Sequence, residues 1–456
     1  MECQIITDMK RFHLIFSVIL VAVLTACSQT KPIDTVKVDG GMLRGVLTEN
    51  PEVMIFKGVP YAAPPVGELR FALPQPVKPW EGVRVADTFG APSVQRGRQP
   101  GSFYYKEFQP EPLPPTSEDC LFLNVWAPAK TVGHPEAKLP VAMWIHGGAY
   151  AGGCGNDVAF DGEAWATRGV ILVTINYRLG MLGFFSHPEL TAENGFGGSG
   201  NQGIYDQLAA LKWIYNNIAA FGGDPEQITI MGQSAGAGSV KTLVTSPLTK
   251  GLVSKAIIQS GGGLGGFLGG GSAATPMSSY DERGKKLMDD AGFDSLAKMR
   301  AASLEELSKV RTGMGGPHPD GNLVTMGFDE AARSGQILDI PYMIGSNGDD
   351  MGDMREGINA FCALRSTQSK QPAYQYFFDR KLPGDDSGAF HSAELWYMFH
   401  TLGRSWRPMT DHDFALSDKM MDYWTNFVKF GNPNGQGKDG PWKASTEAEP
   451  YTEQLN

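Results

Sequence analysis

The amino-acid sequence predicts an α/β fold, in which helices flank a central, mostly parallel, twisted sheet. Two observations support this class. Short apolar runs typical of buried strands alternate with helix-like segments over most of the chain, and this alternation is typical of parallel strands joined by helical crossovers. The runs are apolar at nearly every position, as expected for strands covered on both faces. With 456 residues, the chain is long enough for one large domain of this kind.

The strands are predicted in chain order. Residues 36–44 indicate a short hairpin that turns at Gly40 and Gly41. Residues 91–117 are predicted to be a long surface loop and 261–275 a Gly-rich mobile loop near the site, while the last residues of the chain are predicted to be a surface tail. Seven further runs are strand-like: 121–126, 141–145, 169–176, 227–231, 255–259, 340–345 and 374–378.

Three regions are predicted to be helical. Residues 202–221 repeat apolar side chains at helical spacing, and the Gly-Gly-Asp-Pro stretch at 222–225 ends this helix. Residues 280–311 indicate two or three helices of a cap or side subdomain, and 417–430 indicate a C-terminal helix. The fold is therefore expected to carry helical insertions beside the sheet.

The first 27 residues are predicted to be a signal segment of the bacterial lipoprotein type. Basic residues precede an apolar stretch that is too short for an ordinary spanning helix, and a Leu-Thr-Ala-Cys sequence ends at Cys27. We expect cleavage before Cys27 and lipid attachment to its thiol; a plain secretory leader is the alternative, and Met9 is an alternative start. Ser28 favours an outer-membrane, periplasmic or cell-surface location over inner-membrane retention. Residues 28–456 are predicted to form the folded domain.

Composition narrows the class of protein. Hydrophobic residues make up 42% of the chain and charged residues 19%, as in soluble globular enzymes. The formal net charge of −10 argues against nucleic acid as a partner. Five cysteines include no C-x-x-C pair, so no metal or redox site is predicted from them.

The stretch Gly232-Gln233-Ser234-Ala235-Gly236 is a G-x-S-x-G motif. It follows a strand-like run and is followed by small residues, as a sharp turn from strand to helix requires. In this context the motif predicts a serine nucleophile at Ser234. A Gly-rich turn without chemistry is the alternative for the motif taken alone.

A serine nucleophile needs a base to accept its proton and an acid to orient that base. In hydrolases with this elbow both follow the serine along the chain. His391 follows a late strand and a Pro-Gly loop and is favoured over His400, which lies in a helix-like stretch. Asp349 and Asp350 end another strand and are the candidate acids, although either could be a solvated loop residue or a helix cap. The histidines that follow the motif are His318, His391, His400 and His412.

Residues 144–149 read Trp-Ile-His-Gly-Gly-Ala and directly follow a strand-like run. Such a loop can aim backbone N–H groups at a developing oxyanion, together with the N–H of Ala235, the residue after the nucleophile. His146 precedes Ser234 and is therefore predicted to hold this loop rather than act as the base.

These motifs together resemble the type-B carboxylesterase family, which includes cholinesterases and para-nitrobenzyl esterases. The resemblance spans nearly the whole chain after the signal segment. The matching stretches are FKGVPYAAPPVGELRF (56–71), EDCLFLNVWAP (118–128), WIHGGAY (144–150), INYRLG (175–180), GNQGIYDQLAALKWIYNNIAAFGGDPEQITIMGQSAGAGS (200–239), AIIQSG (256–261), GSNGDD (345–350) and GAFHSAEL (388–395).

The resemblance implies an α/β-hydrolase fold over residues 28–456, and it assigns a role to each site residue. The implied nucleophile, base and acid are Ser234, His391 and Asp350, and Asp349 matches the residue before the acid. The implied oxyanion donors are Gly148, Ala149 and Ala235. The implied scaffold ion pairs are Arg70 with Glu118 and Arg178 with Asp206.

This sequence departs from the family pattern in three places. The acid is Asp where the family commonly has Glu, and Met351 takes the place of the usual following Gly. The family partner of Cys120 is missing, with Val94 near its expected place, so Cys120 is predicted to be unpaired. Only 41 positions separate Asp350 from His391, which predicts a more open site that admits bulky esters.

The predicted function is a carboxylic ester hydrolase that uses an acyl-enzyme intermediate and needs no metal or organic cofactor. Its predicted partner is a small-molecule ester, and membrane association is expected only through the lipid anchor. Feruloyl-type esters of plant cell walls are one alternative substrate, with simple aryl or alkyl esters equally compatible. An inactive, cholinesterase-like binding module is the alternative from another class. An aromatic lining of the site could come from Tyr150, Phe184, Phe185 and Trp396, although plain packing in the core is the commoner role of such residues.

Overall fold

A ten-stranded mixed sheet forms the centre of the protein. The computed structural model describes residues 33–108, 115–266, 275–310, 315–437 and 439–456, and residues 34–456 form one compact unit. The predicted signal segment, with Cys27, lies outside the described residues. The strands are β1 (Thr35–Val38), β2 (Gly41–Arg44), β3 (Val46–Leu47), β4 (Val53–Pro60), β5 (Val83–Val85), β6 (Phe122–Pro128), β7 (Leu139–Ile145), β8 (Ile171–Ile175), β9 (Gly223–Gln233), β10 (Lys255–Gln259), β11 (Tyr342–Asn347), β12 (Ala373–Phe378) and β13 (Glu453–Leu455).

The strand order of the large sheet is β13-β12-β11-β10-β9-β7-β8-β6-β4-β3. Neighbours from β13 through β8 are parallel, whereas β8, β6, β4 and β3 pair antiparallel. The mostly parallel sheet confirms the predicted α/β class. A smaller sheet contains the predicted hairpin, β1 with β2, and adds β5.

Helices cover both faces of the large sheet. They are α1 (Phe103–Phe108), α2 (Glu163–Thr167), α3 (Gly180–Phe184), α4 (Pro188–Asn194), α5 (Gln202–Asn217), α6 (Ala235–Thr245), α7 (Met277–Asp290), α8 (Leu296–Ala301), α9 (Leu304–Leu307), α10 (Phe328–Arg333), α11 (Arg355–Gln368), α12 (Leu395–Met398) and α13 (Asp411–Phe430). Short 3-10 turns lie at Gly67–Leu69, Ala129–Thr131, Pro135–Ala137, Ile218–Phe221, Pro247–Thr249 and Leu402–Arg404.

The alternation of side chains along β7 shows how the two core layers form. Met143 and Ile145 belong to the hydrophobic cluster that includes side chains of α5 and α6, whereas Ala142 and Trp144 belong to the cluster that includes side chains of α13. Successive residues of a strand point to opposite faces of the sheet. The sheet is therefore buried on both faces, which explains the continuous apolar runs in the sequence.

Two loop predictions were wrong in part. The end of the chain is not a surface tail, because β13 pairs parallel with β12 and buries Leu455. The loop at 91–117 contains α1, which buries Glu107 and Phe108. The sequence missed both elements because a three-residue strand and a six-residue helix are too short to show periodicity. None of the helices among the described residues is long and apolar enough to cross a membrane.

Candidate active site

Ser234 lies at the turn between β9 and α6, in a strained backbone conformation. Its φ and ψ angles are 56° and −123°, a region that a non-glycine residue rarely adopts. A Cβ atom on Gly236 would lie 2.0 Å from the carbonyl oxygen of Ile145, and one on Gly232 would lie 2.5 Å from backbone atoms of Gly236. The glycines of the motif therefore permit a backbone contact that no side chain would allow, and the serine projects at the carboxyl end of β9.

His391 and Asp350 come together beside this turn, although 41 positions separate them. Nδ1 of His391 lies 2.5 Å from Oδ1 of Asp350. The carboxylate also accepts the backbone N–H groups of Asn347 at 3.0 Å and Met351 at 2.8 Å. Burial alone would raise the pKa of Asp350, but the hydrogen bond and charge of His391 outweigh it and lower the pKa below its usual value. Asp350 is therefore held as the charged partner of the imidazole.

The neighbouring carboxylate, Asp349, points away from the histidine. Its Oδ2 accepts from Nζ of Lys381 at 2.7 Å and from the backbone N–H of Ala389 at 2.8 Å. The hydrogen bond from Lys381 lowers the pKa of Asp349. Asp349 thus fastens the loop that carries His391, and the two adjacent aspartates have different partners.

The loop after β7 turns sharply beside Ser234. The φ angles of Gly148, Ala149 and Tyr150 are 109°, 55° and 57°. No acceptor lies within hydrogen-bond distance of the N–H groups of Gly148 and Ala149 in the described part of the chain. Ala235 begins α6, so its N–H also has no intrahelical partner. Three amide donors from two loops are therefore available to a ligand at the cavity.

His146 helps to hold this loop in place. The histidine is buried, its Nδ1 lies 2.8 Å from the carbonyl of Gly147, and its ring stacks on Tyr177 at 4.5 Å. Burial lowers the pKa of His146 to about 4. A neutral, tightly packed imidazole fits the predicted role of holding the loop.

The remaining nitrogen of His391 contacts an amide rather than the serine. Nε2 of His391 lies 3.1 Å from Nε2 of Gln233, a buried residue. With Nδ1–H directed to Asp350, the Nε2 lone pair accepts from the amide of Gln233. The hydroxyl of Ser234 makes no hydrogen bond to His391 in the described structure, and catalytic hydrogen bonds of this kind often form only with a bound substrate.

A second buried carboxylate, that of Glu394, lies close to Asp350 and His391. Glu394 accepts the side-chain amide of Asn347 at 2.6 Å and that of Gln259 at 3.3 Å. The pKa of Glu394 is raised to about 7. Burial is the main cause and the charge of Asp350 adds to it, whereas the hydrogen bond from the amide of Asn347 opposes them. Asn347 also donates its backbone N–H to Asp350, so this one residue holds both Glu394 and Asp350.

These groups open onto a cavity of about 830 Å³. Ser234, His391 and residues 146–150 line it, as do Tyr104, Phe108 and Tyr280. Of the four aromatic residues predicted to line the site, only Tyr150 is among its lining residues. The prediction was wrong for the other three, which are buried in the hydrophobic clusters: Phe184, Phe185 and Trp396.

Comparison with known proteins places this geometry in a family. The model of the carboxylesterase family matches residues 32–360 and 351–456. The chain belongs to the carboxylesterase family. This membership confirms the prediction of a carboxylic ester hydrolase.

Individual relatives agree with this assignment. The para-nitrobenzyl esterase of Bacillus subtilis (strain 168) is 32% identical over 88% of this chain and 91% of that protein. The fumonisin B1 esterase of Sphingopyxis macrogoltabida is 37% identical over 66% of this chain, and the match spans 53% of that longer protein. A solved para-nitrobenzyl (PNB) esterase structure superposes with a TM-score of 0.78 at 29% identity, covering 93% of this chain and 96% of its own. The α/β-hydrolase fold is thereby confirmed.

Both scaffold ion pairs implied by the resemblance are present in this carboxylesterase. Arg70 and Arg178 each form two hydrogen bonds with their carboxylates, Glu118 and Asp206, at 2.6 to 2.8 Å. Cys120, Cys154 and Cys362 are free thiols among the described residues; Cys120 and Cys362 are buried, and Cys154 is partly exposed. In the same part of the chain, no three His, Cys, Asp or Glu side chains are grouped closely enough to hold a metal ion.

Two other histidines that follow Ser234, His318 and His400, have separate partners. His318 lies in the cavity wall, where its Nε2 contacts the carbonyl of Ser199 at 2.9 Å and its ring stacks on Tyr280 at 4.0 Å. His400 contacts the hydroxyl of Ser417 at 2.8 Å.

Sequence reasoning missed three residues near the reacting groups. Gln233 was visible inside the motif, but its contact with His391 depends on a residue 158 positions away. Glu394 lies in the stretch 388–395 that resembles the family, but that resemblance assigned a role only to His391, and Tyr104 lies in a segment predicted to be a surface loop.

Proposed function

We propose that this carboxylesterase hydrolyses small-molecule esters through an acyl-enzyme on Ser234. His391 accepts the serine proton, and Asp350 holds the imidazole in the tautomer with a free Nε2. The observation that supports this proposal is the convergence of Ser234, the His391–Asp350 pair at 2.5 Å and the oxyanion loop on one cavity.

In the first half of the reaction, the Ser234 oxygen attacks the ester carbonyl while Nε2 of His391 takes its proton. This step requires Nε2 to exchange its contact with Gln233 for one with Ser234. The N–H groups of Gly148, Ala149 and Ala235 receive the negative charge that develops on the carbonyl oxygen. His391 then protonates the alkoxide, and the alcohol leaves.

In the second half, a water molecule takes the place of the alcohol. His391 accepts a proton from the water, the resulting hydroxide attacks the acyl carbon, and the Ser234–acyl bond breaks as His391 returns the proton to the serine oxygen. The carboxylic acid leaves and the resting enzyme is restored.

Bulky esters, including feruloyl-type esters, are the substrates we favour within this class. The cavity of about 830 Å³ is large enough for a drug-sized molecule, and its lining is rich in aromatic side chains. The binding-module alternative has less support, because the parts needed for acyl transfer are present.

A substrate panel tests this proposal. We expect purified enzyme to hydrolyse 4-nitrophenyl esters of rising chain length and methyl ferulate, and we expect Ser234→Ala to abolish turnover while its circular-dichroism spectrum stays unchanged. Turnover retained in Ser234→Ala would contradict the nucleophile. Activity confined to short acyl groups would contradict the preference for bulky esters.

We also propose that the protein is exported and anchored by lipid at Cys27. Support comes from the sequence of residues 1–27 alone. Cells fed a labelled fatty acid should label the wild-type chain but not Cys27→Ala. Label on both proteins, or on neither, would contradict the anchor.

A further inference from the structure

The six-residue helix α1 (Phe103–Phe108) lies in the wall of the cavity and is held there by buried charge. A helix this short is unstable by itself, and no disulfide involving the nearby Cys120 ties its segment down. Its position must therefore be fixed by contacts with the rest of the domain.

Glu107 provides most of those contacts. Its carboxylate accepts from the indole N–H of Trp396 at 2.8 Å and that of Trp406 at 2.9 Å. Nε of Arg407 lies 3.0 Å from both carboxylate oxygens. The side chains of Glu107 and Arg407 are only 1% and 0% exposed, so this charge pair is screened little by solvent.

Arg407 in turn connects the helix to the loop before His391. Its guanidinium donates to the carbonyl of Pro383 at 3.0 Å, to Asp385 at 2.9 Å and to the hydroxyl of Ser387 at 3.0 Å. Since a charge left unpaired in the interior is costly, the helix cannot leave this position without a large loss of stability.

Helix α1 presents two aromatic rings to the cavity. Tyr104 and Phe108 both line it, and their rings are nearly parallel, with 6.2 Å between centroids. Phe108 also stacks on Trp396 at 5.3 Å. The hydroxyl of Tyr104 donates to the backbone carbonyl of His391 at 3.1 Å, so these rings stand next to the base.

We propose that α1 is a fixed aromatic wall that favours esters bearing an aromatic ring, and that Glu107 is the positioning residue that fixes it. A planar ring can stack on, or meet edge-on, rings that are already in place, whereas an alkyl chain gains only apolar contact. Because Glu107 prevents α1 from moving, the enzyme does not adapt the wall to other shapes. This inference rests on the proposed esterase function.

Pairs of esters matched in carbon number test the wall. Benzyl acetate is compared with heptyl acetate, and methyl 3-phenylpropionate with methyl nonanoate, because the ring can lie in either half of the ester. In the full-length wild-type enzyme we expect kcat/KM to favour the aromatic member of at least one pair by about fivefold, the value of one aromatic contact. A ratio below about twofold in both pairs would overturn the inference.

Substitutions then assign the preference to α1. Phe108→Leu keeps an apolar side chain but removes the ring, so the ratio should fall to about one. Glu107→Gln should raise KM for the aromatic ester more than for its alkyl partner. If Glu107→Gln does not fold, Trp406→Phe removes a single donor to Glu107 and should shift KM in the same direction. A wild-type ratio in Phe108→Leu would overturn the wall, and KM values that change equally for both esters would overturn the role of Glu107.

A matched control separates this role from general stability. Asp413 is another buried carboxylate, paired with Arg380 at 2.7 Å, and it does not line the cavity. Asp413→Asn should lower the Tm but leave the aromatic-to-alkyl ratio unchanged. Wild-type enzyme that hydrolyses no ester, 4-nitrophenyl acetate included, would contradict the proposed function itself, whereas an active enzyme without the ratio would contradict only the aromatic wall.

Discussion

The two halves of the candidate active site are built in different ways: the serine side, around Ser234, and the proposed acid–base side, around His391 and Asp350. Ser234 is held by its own neighbours: a strained backbone and two glycines that allow contact with β7. His391 and Asp350 come from separate loops and are held by hydrogen bonds, from the side-chain amide of Gln233 to His391 and from the backbone N–H of Asn347 to Asp350. The serine side therefore depends on steric fit, and the acid–base side depends on charge and hydrogen bonding.

This difference has a practical consequence for substitutions. Added volume should damage the serine side, even when the added group is a single methyl. On the acid–base side, volume can be kept and only a charge or a donor removed.

Replacing the acid should have the largest effect. Asp350→Asn keeps the shape but removes the charge that holds the imidazole tautomer, and we expect kcat to fall about 10⁴-fold. Asp349→Asn is the matched control and should change kcat less than about threefold, since Asp349 contacts Lys381 rather than His391. Steady-state kinetics on one 4-nitrophenyl ester gives kcat for both variants. Equal losses of kcat would contradict the different roles of the two aspartates.

Glu394 should make the acid–base side less stable as the pH rises. Its pKa is raised to about 7 from 4.5, chiefly by burial, so the native state binds the proton more tightly than the unfolded state does. Its contribution to the free energy of unfolding is complete below about pH 4.5. This contribution, on the order of 3 kcal/mol, is lost as the pH rises through about 7.

Glu394→Gln should remove that dependence. Calorimetry between pH 5 and pH 8 should show a smaller decrease of Tm in the variant than in the wild type. Parallel Tm curves for the two proteins would contradict the buried, protonated carboxyl.

A methyl group at Gly236 should disrupt the serine side. The Cβ of Gly236→Ala would lie 2.0 Å from the carbonyl oxygen of Ile145, and a displacement of the nucleophile by about 1 Å costs roughly 100-fold in kcat/KM. Gly403→Ala is the control, because a Cβ there has open space. A fully active Gly236→Ala variant would show that the close backbone contact is not required.

The smallest effect should come from Gln233. Gln233→Leu removes the donor to Nε2 of His391, a contact possible only while that nitrogen carries no proton. Because Nε2 must give up this contact before it can accept the serine proton, we expect kcat/KM to rise by about two- to tenfold, the value of one hydrogen bond.

Gln207→Leu is the control for Gln233. Gln207 is also buried, but its amide donates to Ser239 at 2.9 Å. This variant should lose stability without any rise in kcat/KM. A rise in both variants, or in neither, would contradict a specific contact between Gln233 and His391.

The two sides of the site also differ in how far they could be predicted from sequence. The motif around Ser234 and the loop at 146–149 each follow a strand, and the spacing of their glycines predicts a turn. The contact of Asp350 with His391, and the different partners of Asp349, depend on the pairing of distant loops. The family resemblance favoured Asp350, but only the three-dimensional arrangement shows the 2.5 Å contact.

The two elements that could not be predicted from the sequence, α1 and β13, also depend on contacts with distant parts of the chain. Helix α1 is fixed by Trp396, Trp406 and Arg407, residues almost 300 positions away. Strand β13 forms only because β12 offers an edge with which it can pair. The local sequence pattern therefore predicts neither contact.

Covalent labelling is the decisive test of Ser234 as the nucleophile. Full-length enzyme is treated with a fluorophosphonate and analysed by intact mass and peptide mapping. We expect one adduct per chain, on Ser234, with activity lost in step with labelling, and no adduct in Ser234→Ala. An adduct on another residue, or full activity after stoichiometric labelling of Ser234, would contradict the proposed nucleophile.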